Sequence, residues 1–212
     1  MLFRSHGHDG TEPVVWLDVL DLPLVHYMEA SYHLNGERQT TLPGNGDRAY
    51  SRGGLLPTPV LQAEFGRNAT PSATGRGKAY PLLRYPWADA RAALLALAED
   101  QPDRQAVQLT YANPKTGGHA ENILGFYALM LRPGQTLALP VRSPAMVFHV
   151  IEGGVQINVG GEPFSLAQAD TCCAPGYTPI TLANASASAT SFLFIADETP
   201  LHQKLGVFET RG

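Results

Sequence analysis

The chain of 212 residues has few cysteines, no long apolar run and no basic run, and each shortage excludes a class of protein. No stretch reaches the roughly 18–20 apolar residues that a membrane-spanning helix needs. The formal net charge is only -4, and no cluster of lysine or arginine indicates nucleic acid or an anionic membrane as a partner. The N-terminus also lacks the apolar segment of a signal peptide, so we expect a cytoplasmic protein.

The two cysteines, Cys172 and Cys173, are adjacent in a segment with the composition of a strand. Successive side chains of a strand point to opposite faces, so we expect two small side chains packed on either side of a sheet. A strained disulfide between neighbours and a reactive thiol are the alternatives. The sequence also offers no Ser-His-Asp arrangement and no phosphate-binding glycine loop.

The chain divides into an irregular N-terminal part and a C-terminal part made of short strands. Residues 48–79 are rich in Gly, Pro, Ser, Thr and Asn with little periodicity, which is typical of a long connection. From Val107 onward, apolar segments alternate with turn sequences such as N-P-K-T-G-G and R-P-G-Q, the pattern of a jelly roll or sandwich. We therefore expect an arm over residues 1–79 and one all-β domain over residues 80–212.

Three local elements can be placed from the pattern. Leucines among alanines predict a helix over Trp87–Glu99, with Asp89 near its start where an acid complements the helix dipole. Gly160 and Gly161 separate two apolar runs and predict a hairpin. Apolar residues at 14–18 predict a strand with exposed backbone groups, which favours pairing with another chain.

The segment from Pro140 to Asn184 resembles the cupin family, whose barrels carry the motifs G-x5-H-x-H-x3-4-E-x6-G and G-x5-P-x-G-x2-H-x3-N. Scaffold positions of these motifs survive as Gly153, Pro175 and Asn184. The metal-ligand positions fall on Pro140, Arg142, Met146 and Ile180. Proline and isoleucine have no donor atom, arginine is always cationic, and a thioether is a soft ligand. The resemblance therefore implies a barrel without a metal.

The segments W-L-D-V-L-D-L-P-L-V, Y-P-W-A-D-A-R-A-A-L, Y-A-N-P-K-T-G-G and H-Q-K-L-G-V-F-E narrow this resemblance to the gentisate 1,2-dioxygenase family. Its members are iron(II)-dependent bicupins that open the ring of gentisate and related hydroxylated aromatic acids. The resemblance covers the C-terminal half of such an enzyme. It implies an all-β cupin double-stranded β-helix, a jelly-roll barrel, with one helix and an extended N-terminal arm that is the remnant of the end of a first cupin.

The family places its iron in the first cupin, which ends in a W-H-D-H-G-like stretch. The matching residues here are 3–7, with Arg4 at the position of the ligand histidine, and the preceding H-x-H is absent. The resemblance aligns His6 with a histidine behind the iron ligands, and Trp16 and Asp18 with the substrate side of the pocket. It implies substrate-binding roles for these three, no catalytic residue, and no metal or cofactor in this chain alone, whereas the intact family uses Fe(II).

Other polar residues admit a functional and a structural interpretation. His6, His8 and Asp9 have the composition of a facial iron triad, but a chain terminus lacks a rigid surrounding shell, which favours ordinary surface histidines.

Three residues of the barrel segment have the same two interpretations. His149 lies on a predicted strand, where a hydrogen-bonded histidine is commoner than a ligand. Glu152 fits a structural carboxylate better than a general base. Arg142 could bind a carboxylate, although a solvated loop arginine is the simpler expectation.

The leading hypothesis is a gentisate 1,2-dioxygenase-like protein of which this chain is the second, metal-free cupin, inactive alone. The expected partners are a second copy of the chain or a separate chain carrying the first cupin, with a small aromatic acid as ligand and neither nucleic acid nor membrane. The alternative is a non-catalytic cupin that binds a small aromatic or carboxylate ligand or serves as an assembly module. A truncated bicupin gene is a third possibility.

Overall fold

The computed structural model describes residues 10–29, 50–51, 82–113 and 116–211, with only the backbone for residues 50–51 and 82–83. Within these ranges the chain forms two antiparallel sheets that share one apolar core, with a helix on the outer face of the larger sheet. The expected all-β cupin fold is confirmed. None of the helices in these ranges has the length and apolar character to cross a bilayer.

Three helices and thirteen strands lie in the described residues. The helices are α1 (Leu22–Tyr27), α2 (Trp87–Asp100) and α3 (Thr199–Leu205). The strands are β1 (Tyr50–Ser51), β2 (Leu82–Leu83), β3 (Ala106–Thr110), β4 (Gly125–Leu131), β5 (Thr136–Leu139), β6 (Val141–Arg142), β7 (Met146–Glu152), β8 (Val155–Val159), β9 (Glu162–Leu166), β10 (Thr171–Ala174), β11 (Ile180–Ala183), β12 (Ser191–Asp197) and β13 (Thr210–Arg211).

The strands assemble with crossovers between the sheets, as a jelly roll requires. The larger sheet has the order β10-β7-β12-β4-β3, and the second has the order β5-β11-β8-β9. Two short pairs complete the described sheets: β6 with β13, antiparallel, and β1 with β2, parallel. Strands distant in sequence therefore meet at the ends of the barrel, where the candidate site lies.

Alternation along β7 shows why these residues form a half-buried strand. Met146, Phe148 and Val150 are buried and point into the core between the sheets, while the intervening residues face outward. Phe148 is fully buried, and burial of such a side chain stabilises the fold by about 1.5–3 kcal/mol. The apolar interior is filled by side chains from both sheets.

The predicted helix and hairpin are both confirmed. Helix α2 begins at Trp87 as expected and buries Leu94 and Ala98 against the outer face of the larger sheet. Gly160 and Gly161 both have positive φ values, 62° and 99°, which is the conformation of a type I′ turn between β8 and β9.

The predicted strand at residues 14–18 is wrong. Residues 13–20 are irregular and lead into α1, and Val15 is 93% exposed. A strand needs a neighbour to accept and donate backbone hydrogen bonds, and none of the described strands pairs with this segment. The boundary expected at residue 79 falls outside the described residues and stays a prediction.

Candidate functional site

The positions that cupin motifs give to metal ligands lie at one end of the barrel. Met146 begins β7 and Ile180 begins β11; each is 5% exposed and belongs to the apolar core. Pro140 immediately precedes β6, and Arg142 ends it. Two of the four positions thus hold core side chains, and the arginine is the one with polar chemistry.

Arg142 is held inside the barrel by a carboxylate. Its Nη2 lies 3.3 Å from Oδ2 of Asp197 and 3.2 Å from Sδ of Met146. The side chain of Arg142 is 22% exposed and that of Asp197 is fully buried. The expectation of a solvated loop arginine is therefore wrong, because Asp197 at the end of β12 is in register with Met146 and faces the guanidinium.

Asp197 is the centre of a small polar network. The Tyr127 hydroxyl donates to its Oδ1 at 3.2 Å, the Thr199 amide donates to Oδ1 at 3.0 Å, and the Thr199 hydroxyl donates to Oδ2 at 2.8 Å. A buried charge is costly unless it is paired and hydrogen-bonded, and Asp197 has both kinds of partner. The same bonds fix the start of α3 to the barrel.

Gly125 leaves the space that this network needs. A Cβ atom at this position would lie 2.6 Å from the Tyr127 hydroxyl and 2.8 Å from Oδ1 of Asp197. Burial and the nearby negative charge of Asp197 raise the pKa of Tyr127 to about 12. The phenol therefore remains a hydrogen-bond donor at neutral pH.

The residues around Arg142 do not fit the metal that the cupin fold implies. A structural zinc site uses four nitrogen, sulfur or oxygen donors, and a non-haem iron site uses two histidines and a carboxylate. The carboxylate in contact with Arg142 is that of Asp197, and it is already paired with this permanent cation. The described residues contain no group of three or more His, Cys, Asp or Glu side chains that could hold a metal ion.

A second arginine–carboxylate pair lies at the other end of β7. Trp87 Nε1 donates to Oε1 of Glu152 at 2.7 Å, and Arg91 Nε donates to its two oxygens at 3.1 and 3.0 Å. Burial raises the pKa of Glu152, but hydrogen bonds from Trp87 and Arg91 and the charge of Arg91 outweigh this and lower it. The structural role expected for Glu152 is confirmed, since it ties α2 to the sheet.

His149 and the two cysteines lie on adjacent strands, β7 and β10. His149 Nδ1 lies 2.9 Å from the hydroxyl oxygen of Thr171 on the adjacent strand, as expected for a hydrogen-bonded strand histidine. Cys172 and Cys173 are both free; the first packs against the core and the second is exposed. The prediction of two small side chains on opposite faces is confirmed.

Of the three predicted substrate-binding residues, Trp16 and Asp18 lie in the described part of the arm. Trp16 is 55% exposed and Asp18 is also exposed, on the irregular segment before α1. His6 lies outside the described residues, as do His8 and Asp9 of the alternative triad. The roles of His6, Trp16 and Asp18 stay predictions.

The arm touches the barrel just after these residues. A cavity of about 470 Å³ lies between them, lined on the arm side by Val19 and Leu20 and on the barrel side by residues that include Val147, Cys173 and Asp197. Its walls are mostly apolar. The arm therefore approaches the end of the barrel that holds the Arg142–Asp197 pair.

The sequence has extensive similarity to curated 1,2-dioxygenases. A gentisate 1,2-dioxygenase of a Ralstonia species is 64% identical over 211 residues, which are 100% of this chain and 56% of the relative. A 5-aminosalicylate 1,2-dioxygenase of a Comamonas species is 26% identical over 99% of this chain and 53% of its own length. The chain thus spans about half the length of the curated relatives it matches. No protein-family model matches it.

The solved structures support the fold. A salicylate 1,2-dioxygenase from Pseudaminobacter salicylatoxidans superposes with a TM-score of 0.70 over 90% of this chain and 53% of that chain, at 24% identity. A mutant of that enzyme in complex with gentisate has the same TM-score, with 90% of this chain and 52% of that chain covered.

Proposed function

The chain belongs to the gentisate 1,2-dioxygenase family, and we propose that it is the second cupin of a protein that cleaves gentisate or a related hydroxylated aromatic acid. The observation that carries this proposal is the 64% identity to the Ralstonia enzyme across the whole chain. The cupin barrel agrees with it, because a salicylate 1,2-dioxygenase has the same fold.

In this proposal the reactive metal belongs to the first cupin, and this barrel has a supporting role. The first cupin would hold iron(II), which would supply the dioxygen chemistry for cleavage between the carboxyl-bearing and adjacent hydroxyl-bearing carbons of the aromatic acid. Trp16, Asp18 and His6 of this chain would face the substrate from the arm. The Arg142–Asp197 pair supports the assignment of a metal-free barrel, since it fills a ligand position with a cation.

The exposed arm supports the proposal that this chain binds a partner. Val14, Val15, Trp16 and Leu17 are consecutive apolar residues with exposed fractions between 44% and 93%. Apolar runs of this kind commonly mark an interface. The proposed partner is a first cupin, and a second copy of this chain is the alternative.

The alternative function, a cupin that binds a small aromatic or carboxylate ligand or serves as an assembly module, is kept in both its parts. The interior of the described barrel is filled by large apolar side chains such as Phe148, Leu182 and Leu193. A small aromatic acid would therefore bind outside this apolar core, in the cavity of about 470 Å³ between the arm and the end of the barrel. An assembly module remains compatible with the exposed arm.

Complementation with the Ralstonia relative tests the proposal. The purified chain is mixed with iron(II) and the segment of the Ralstonia enzyme that precedes the matched region, and oxygen uptake is measured on adding gentisate. We expect chelator-sensitive uptake in the mixture and none from either part alone. The matched control is the same mixture with the Ralstonia enzyme's own second part. Activity of that control without activity of the test mixture would contradict the proposal.

A further inference from the structure

A permanently charged side chain stands where the cupin motifs place a metal ligand. Arg142 reaches Asp197 and Met146 with one nitrogen, Nη2, so that the cation lies between β6, β7 and β12. We propose that the guanidinium of Arg142 takes the structural role of the barrel metal. It is an internal cation that holds these three strands together. This deepens the proposed metal-free role of the barrel and does not depend on ring cleavage.

The buried charge of Asp197 favours a cation beside it. The Asp197 side chain is fully buried, and its other partners, Tyr127 and Thr199, are neutral donors. A buried carboxylate with only neutral partners is costly, and a cation offsets much of that cost. Arginine remains protonated at any pH that a protein meets. The barrel therefore carries its own cation under all conditions, whereas a metal site is filled only when the metal is available.

The Arg142–Asp197 contact also joins strands of different sheets. Strand β6 has only two residues and pairs with β13, outside the two large sheets. The Arg142–Asp197 contact links this short pair to β12 in the larger sheet. Metal ligands in cupins likewise come from separate strands and join them through one ion, so the arginine reproduces that connection with a side chain.

Neighbouring bonds extend the same linkage to the C-terminus. The Ser143 hydroxyl lies 2.9 Å from Nδ1 of His202 on α3. The Glu209 amide donates a hydrogen bond to the oxygen of the same Ser143 hydroxyl at 3.0 Å. Thr199, which begins α3, donates twice to Asp197. Displacing the cation should therefore loosen β6, β12 and α3 together.

Thermal unfolding of the full chain after chelator treatment tests the inference. We expect Arg142→Met to lower the Tm by about 10 °C, because it leaves a buried carboxylate without a cation. The matched control is Arg211→Met, which breaks the exposed Arg211–Glu209 pair, with side chains 65% and 53% exposed. That variant should shift the Tm by no more than about 2 °C.

Two further measurements keep the test decisive if Arg142→Met does not fold. The double variant Arg142→Met with Asp197→Asn removes both charges and should recover part of the lost Tm, since the uncompensated charge is gone. Iron(II), manganese or zinc added to the wild-type chain should leave its Tm unchanged, because a ligand raises the Tm only if it binds the folded state.

Two outcomes would overturn the inference. One is an Arg142→Met variant that is as stable as the Arg211→Met control. The other is a metal-dependent rise in the wild-type Tm that disappears in Asp197→Asn, which would show a metal at this end of the barrel. Failure of complementation with the Ralstonia segment would contradict the proposed function and leave this inference standing.

Discussion

The two ends of β7 are each held by an arginine–carboxylate pair, and the two pairs lie in different surroundings. At the helix end, Arg91 and Glu152 have side chains 42% and 35% exposed. At the opposite end, Arg142 and Asp197 are 22% and 0% exposed. The first pair docks a helix on the outside of the sheet, and the second lies inside the barrel where cupin motifs place a metal ligand.

Burial sets what the loss of one partner of such a pair costs. Solvent screens an exposed pair, whose net contribution is about 0–1 kcal/mol. Removing one partner of a buried pair leaves an uncompensated charge and costs about 3–5 kcal/mol. The same two functional groups therefore have a small effect on stability at one end of β7 and a larger one at the other.

The largest difference is expected between alanine substitutions of the two carboxylates. Asp197→Ala should reduce the free energy of unfolding by about 3–5 kcal/mol. It leaves the Arg142 cation without its carboxylate partner and removes an acceptor of three hydrogen bonds. Glu152→Ala, the matched variant, should cost about 1 kcal/mol or less. Urea unfolding of both variants checks this, and equal losses would remove the proposed distinction between the two ends.

A methyl group placed in the buried network should have a smaller effect. In Gly125→Ala the added carbon would contact the Tyr127 hydroxyl and Asp197 at less than 3 Å, so the network must shift, at a cost of about 1–3 kcal/mol. Gly118→Ala is the control, since its nearest contact would be an ordinary 3.6 Å to the Thr116 hydroxyl. A Gly125→Ala protein as stable as the Gly118→Ala protein would show that the network is loosely packed.

The buried end should also weaken at alkaline pH. The pKa of Tyr127 is raised from 10.0 in the unfolded chain to about 12 in the fold, so its contribution is complete below pH 10 and is lost as pH rises toward 12. Tyr127→Phe should cost about 1 kcal/mol at neutral pH through the lost hydrogen bond. The difference between the two proteins should then shrink with rising pH in urea titrations, and a constant difference would contradict this.

The stability that the exposed Arg91–Glu152 pair contributes should depend only weakly on pH and should decrease in acid. The folded pKa of Glu152 lies below its ordinary 4.5, so the stability it contributes is present above pH 4.5 and is lost as pH falls through the folded pKa. Glu152→Gln should therefore be slightly less stable than wild type at neutral pH, by under about 1 kcal/mol because solvent screens the pair. The two unfolding curves should converge in acid, and a difference that grows there would have the wrong sign.

Local patterns predicted much of the barrel. The double glycine at residues 160–161, the helix at Trp87 and the strand with the two cysteines all depend on neighbouring residues, and the structure forms each of them. The short helix α3 was missed, although Pro200 near its start and Gly206 at its end, with φ 70°, are ordinary boundary signals. Seven residues are too few for a clear helical period.

The buried pair could not be predicted, because it depends on strand register. Motif spacing located Arg142, but nothing in the sequence says that Asp197 is in register with Met146 and faces it. The segment at residues 14–18 shows the converse error. Its apolar composition suits a strand, yet strand formation needs a neighbouring strand, which composition does not reveal.

The most direct test of the internal cation is the iron content of the chain. The wild type and Asp197→Asn are each incubated with iron(II) without oxygen, dialysed, and analysed for bound metal. We expect the same substoichiometric iron in both proteins, since Arg142 already occupies the position. One iron per wild-type chain, lost in Asp197→Asn, would contradict it.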